Sequence, residues 1–151
     1  MQTSDLKLKC SPYGFLKIQH IRNGKVLSAQ ILANLLTAVG KALLSSLAIG
    51  DGSAAPDYIA VGTGTVAAAL GNTVLGTEVT REQAVSTQET TTTTNDTSQF
   101  VYTFSFSGTY AITEAGLFNA SSGGEMLSRR VFSAVNVVNG DSLKITWGQQ
   151  F

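Results

Sequence analysis

The sequence predicts a mainly β protein: an antiparallel β-sandwich or jelly-roll-like pair of sheets with one amphipathic helix near the N-terminus. Three observations carry this. The stretch SQFVYTFSFS (98–107) puts Phe100, Tyr102, Phe104 and Phe106 on one side and Val101, Thr103, Ser105 and Ser107 on the other, the period of two of a half-buried strand. Asn23-Gly24 sits between two apolar runs, the strongest short hairpin signal. From about residue 83 onward, strand-like segments follow one another with only short polar turns between them, which predicts antiparallel neighbours.

The elements follow in chain order. Residues 1–13 read as an extended N-terminal arm, in which Leu6 and Leu8 alternate with Lys7 and Lys9. No partner strand for it is evident, and a free strand edge invites pairing with another chain, so Leu6, Leu8 and Tyr13 are candidate assembly contacts. Residues 14–151 read as a single sandwich domain. GFLKIQHI (14–21) alternates as a strand, RNGK is its turn, and Val26 and Leu27 begin the return. AQILANLLTAVGKALLSSL (29–47) places Ile31, Leu32, Leu35, Leu36, Val39, Leu43 and Leu47 on one helical face, with Ser28 as N-cap and Gly50 or Gly52 as terminator. Lys41 lies in its regular polar stripe, which argues against a membrane span. DYIAVGTGT (57–65) reads as a short strand and 65–81 as a loop of small residues. The Thr-rich run 84–95 reads as an edge strand or long hairpin turning at Asn95-Asp96. TYAITEAGLF, EMLSRRVFSAVNVV and SLKITWGQQF complete the β part, separated by NASSGG and NGD. The aromatic row of 100–106 is expected to pack against Leu143, Ile145 and Trp147.

Composition narrows the function. Charged residues are 13% of the chain, about half the usual share for a soluble domain, which suits a surface partly covered by partners. Formal net charge is zero and Arg129-Arg130 is the only adjacent basic pair, so the basic face that phosphate contacts require is missing. The single cysteine, Cys10, cannot form an internal disulfide. The N-terminus has no apolar stretch of the kind a signal peptide needs.

No catalytic, cofactor or metal site emerges. One His and one Cys are too few for a transition-metal centre, and the 51–57 loop lacks the dense oxygen ligands of a calcium loop. Ser121 and Ser122 precede Gly123-Gly124 in a turn unlike a nucleophile elbow. The Gly-x-Gly pairs at 50–52 and 62–64 lack the third glycine and following helix of a dinucleotide site. One carboxylate stands out. Glu114 lies beside Gly116 in a strand that otherwise reads as buried. Either it is buried and paired with Arg81, Arg129, Arg130 or backbone amides near Gly116, or it faces outward into solvent.

YIAVGTGTVAAALGNTVLGTEVTR (58–81) and ITEAGLFNASSGGEMLSRRVFSAVNVVNGDSLKITW (112–147) together resemble small structural proteins of tailed bacteriophages: tail-fibre-like, baseplate-appendage and capsid-decoration proteins. Their shared order is A-V-G-T-G, L-G-x-E-V-x-R, E-A-G-L-F, G-G-x-M-L-x-R and S-L-x-I/V-T-W. The resemblance implies a non-enzymatic virion part, built in the host cytoplasm, that forms a β-sandwich and a homo-oligomer, a trimer for preference. The chain lacks the long shaft repeat of receptor-binding fibres. The first expectation is therefore a decoration or cement protein seated on the major capsid protein. The alternatives are a tail or baseplate appendage and a small carbohydrate-binding domain stacking sugars on Tyr58, Tyr102, Tyr110 and Trp147.

Overall fold

The computed structural model describes residues 13–151, so Leu6 and Leu8 and nearly all of the arm lie outside the described residues. Among the described residues, ten strands form two five-stranded sheets in which every paired strand is antiparallel, with one helix beside them. In chain order the elements are β1 (Tyr13–Arg22), β2 (Lys25–Ala33), β3 (Leu35–Leu36), α1 (Ala38–Ile49), β4 (Tyr58–Gly62), β5 (Glu78–Gln83), β6 (Val85–Glu89), β7 (Thr97–Ser105), β8 (Tyr110–Phe118), β9 (Met126–Val137) and β10 (Ser142–Gln150). The first sheet runs β2-β1-β10-β7-β6 and the second β3-β9-β8-β4-β5.

The inner face of the first sheet is built in rows. Leu16, Trp147 and Phe100 stand side by side across β1, β10 and β7. Ile18, Ile145 and Tyr102 form the next row, and His20, Leu143 and Phe104 the one after. The aromatic strand thus meets Leu143, Ile145 and Trp147 as cross-strand neighbours of one sheet, and this face packs on Ile59, Val61, Ala115, Leu117, Leu127 and Val135 of the other. Asn23 and Gly24 both take positive φ, 51° and 73°, as a two-residue hairpin of right-handed twist demands.

Three expectations need correction. The predicted helix at 29–47 begins only at Ala38. Its N-cap is Thr37, not Ser28, and Gly50 ends it in left-handed backbone. Residues 29–33 instead continue β2, paired with β1 from Phe15–Ala33 down to the hairpin. Ile31, Leu32, Leu35 and Leu36 suit a helical face and a strand alike, and the backbone partner offered by β1 decides between them. Thr37 then fixes the switch: its hydroxyl accepts from Gly40 N–H (2.8 Å) and donates to Met126 C=O (2.6 Å).

Second, short turns do not make every successive pair neighbours. β8 and β9 do pair, but β7 to β8 and β9 to β10 cross from one sheet to the other. The two crossings are stitched together, Phe106 N–H to Asp141 C=O (3.0 Å) and Gly140 N–H to Phe106 C=O (2.9 Å). Third, the Thr run does form an edge strand in a hairpin with β7, but it is strand only through Glu89. Beyond it the chain wraps the Asp96 carboxylate, which accepts from the N–H groups of Thr91, Thr92 and Thr93 at 2.9–3.0 Å.

Candidate functional site

The second sheet is covered on both faces, by the first sheet on one and by a loop on the other. Ile112 belongs to the core between the sheets, and the register then shifts between Ile112 and Glu114. From that point Ala115 and Leu117 point inward, while Glu114, Gly116 and Phe118 point to the outer face. Over that face lies the loop 63–77. Leu75 from the loop packs with Ala60, Phe118 and Met126. A Cβ on Gly116 would come within 3.0 Å of Leu75 and 2.9 Å of Phe118, so the missing side chain is what lets the loop seat.

Glu114 is therefore outward-facing and yet wholly buried. Its Oε1 accepts from the N–H groups of Gly64 (2.8 Å) and Thr77 (2.7 Å). Oε2 accepts from Gly76 N–H (2.9 Å) and from Arg129 through Nε (3.1 Å) and Nη2 (2.8 Å). Burial pushes this carboxyl up, but the Thr77 and Gly76 amides, Arg129 and the Gly64 amide outweigh it and hold it below the usual range. Arg129, itself buried, reaches on to Asn72 Oδ1 (2.8 Å) and Val66 C=O (3.1 Å), and Thr113 donates to Gly64 C=O (2.7 Å). Gly62 and Gly64 leave room for the carboxylate; a Cβ on either would overlap it. Arg81 does not touch Glu114. It bonds Glu78, lies over the Phe118 ring at 3.6 Å, and ties down the carbonyls of Ala120 and Gly123.

This network pins a loop whose other side is apolar and in solvent. Val66, Leu70 and Val74 are 76%, 53% and 63% exposed. A second exposed apolar stretch lies on the edge strand β2, with Val26, Leu27 and Ile31. Tyr13, at the start of β1, is more than half exposed. Sequence reasoning read 65–81 as a loop of small residues but did not single out Val66, Leu70 and Val74, which are diluted among Ala, Gly and Thr.

Elsewhere the titratable groups serve the fold. His20 is buried and bonded to Asp141 (2.7 Å), which also takes two bonds from Arg22 and one from Val138 N–H. Arg22 above all, against the opposing effect of burial, holds the Asp141 carboxyl well below the usual range. Among the described residues no three His, Cys, Asp or Glu side chains are grouped as metal ligands, and no helix is long and apolar enough to cross a membrane.

A cavity of about 540 Å³ lies at the end of the first sheet where β10 stops. The apolar rows of that sheet give way there to Gly14, Gln149 and Ser98, side by side. Leu44 and Leu47 of α1, Pro56 and Phe100 form its apolar walls, and Phe151 stands at its rim. Gln149 is 1% exposed, and among the described residues neither its carboxamide oxygen nor its nitrogen has a hydrogen-bond partner.

A sandwich of this kind, with its internal charges committed to holding loops and apolar side chains left in solvent, defines a structural part of the tailed-phage virion once its relatives are considered. Residues 34–150 match the model of a family described as Podophage GP4 fiber I protein gp80. The chain belongs to that family, which makes it a virion component that associates with other virion proteins. No curated protein and no solved structure matches the chain. The residues that carried the resemblance in sequence converge in space: Gly62, Gly64, Gly76, Glu114, Gly116 and Arg129 all meet where the loop is pinned.

Proposed function

We propose that this protein is a non-enzymatic, fibre-type appendage subunit of the phage tail, which assembles with copies of itself and attaches to neighbouring tail proteins. The observation that carries this reading is the family match over 34–150, which takes in every element except β1 and β2. The pinned loop fits such a role. A rigid display of Val66, Leu70 and Val74 costs little further ordering on docking, so more of the contact energy is retained as affinity. The trimer expected from sequence remains the preferred oligomer.

Capsid decoration becomes the second reading. The low charge and the exposed apolar loop would suit a part covered by the major capsid protein as well as one covered by tail proteins. The carbohydrate reading is weakened, because Trp147 is fully buried in the core and offers no face to a sugar. Electron cryo-microscopy of the virion separates the first two: density for this sandwich at the tail supports the appendage, and density on the outer shell overturns it in favour of decoration.

A further inference from the structure

We propose that the cavity floored by Gln149 receives the Leu6–Cys10 stretch of the N-terminal arm from a second copy of this chain. The proposal rests on the self-assembly reading above and names the acceptor for it. A buried carboxamide with neither atom satisfied is rare in a folded protein. This one lines an open, mainly apolar cavity with its polar atoms closed off from solvent, and so points to an occupant that, once the side chain turns to meet it, offers a donor and an acceptor together. An extended peptide does so: the N–H and C=O of one residue lie on the same side of the backbone and match the C=O and NH2 of a glutamine side chain. The occupant must also bring apolar side chains for Leu44, Leu47 and Phe100.

The sequence Leu6-Lys7-Leu8-Lys9-Cys10 has that character, with Leu6, Leu8 and Cys10 on one side of an extended chain and both lysines on the other. Its place in the chain fits too. Tyr13, the first described residue, is paired with Gln150 at the end of the sheet where the cavity lies, one strand away from Gln149. The self-assembly reading makes a neighbour's cavity the recipient. Arm-to-cavity contact is head-to-tail and closes into a ring when each copy fills the next, which is the symmetry a trimer needs.

The test uses the full chain, a chain lacking residues 2–12, and a synthetic peptide of residues 1–12 under reducing conditions. Light scattering should show an oligomer for the full chain and a monomer for the shortened one. Calorimetry should show that the shortened chain binds the peptide. Binding should weaken at least about tenfold when Leu6 and Leu8 of the peptide are replaced by Asp, and also in A48W, which crowds the cavity from an exposed helix position. Q149L should weaken it as well while keeping the far-ultraviolet spectrum of the parent. A monomeric full chain overturns the self-assembly reading and this inference together. An oligomer that survives loss of 2–12, a peptide that does not bind, or binding indifferent to A48W and Q149L overturns the inference alone.

Discussion

Glu114 and Gln149 are both polar side chains buried in this sandwich, and they are treated in opposite ways. Glu114 takes five hydrogen bonds, three from backbone amides and two from Arg129. Gln149 takes none among the described residues. The first sits where three glycines and a bulge bring backbone onto a carboxylate, so the chain answers its own charge and gains a pinned loop. The second sits where the apolar rows run out against a helix, and its partner must come from elsewhere. A buried polar group with all its partners is part of the architecture, whereas one with none marks an unfinished surface.

The largest effect expected is from breaking the satisfied side. Arg129→Met leaves the Glu114 carboxylate buried and short of its cation, and should cost about 3–5 kcal/mol in urea melts. A loss under about 1 kcal/mol would mean that the three amides suffice by themselves. Phe104→Ala, in the apolar rows that lie between the two regions and 2% exposed, should cost a similar 3–5 kcal/mol or so. A small loss there would show that the core tolerates gaps and that the Gln149 cavity is unremarkable.

Smaller changes sharpen the contrast. Thr37→Ala removes the cap that ends β3 and starts α1, the helix that walls the cavity, and should cost about 1–2 kcal/mol. Gln149→Leu should go the other way. It removes unmet polar atoms, so the isolated chain should melt unchanged or about 1 kcal/mol more stable even as peptide binding falls. Destabilisation beyond about 1 kcal/mol would reveal a partner for Gln149 within the fold.

Acid distinguishes the two sites as well. Because the folded-state value of Glu114 is depressed, its contribution is fully present above the ordinary unfolded value of about 4.3 and is lost as pH falls through the lower folded value. Asp141 adds in the same direction. Stability should stay level down to roughly pH 5 and fall below it, and the gap between the parent and Glu114→Gln should narrow on the same descent. Gln149→Leu should run parallel to the parent throughout, since a carboxamide does not titrate. A gap for Glu114→Gln that is constant with pH would contradict the depressed value.

Much of the fold was legible in sequence because it rests on local rules. Strict alternation in 14–21 and 98–107 yields strands whatever surrounds them, Asn23-Gly24 takes the positive φ that few other pairs accept, and Gly50 ends a helix. Tertiary structure decided the rest. The run at 29–36 carries apolar spacing that suits helix and strand, and pairing with β1 made it strand. Glu114 was ambiguous because strand parity says only which face a residue occupies; a bulge set that face outward, and a loop some forty residues away in sequence buried it. Gln149 reads in sequence as one more polar residue near a terminus, and only the end of the apolar rows beneath α1 makes it the floor of a cavity. Local spacing determines which face a side chain takes, and long-range packing determines what that face then meets.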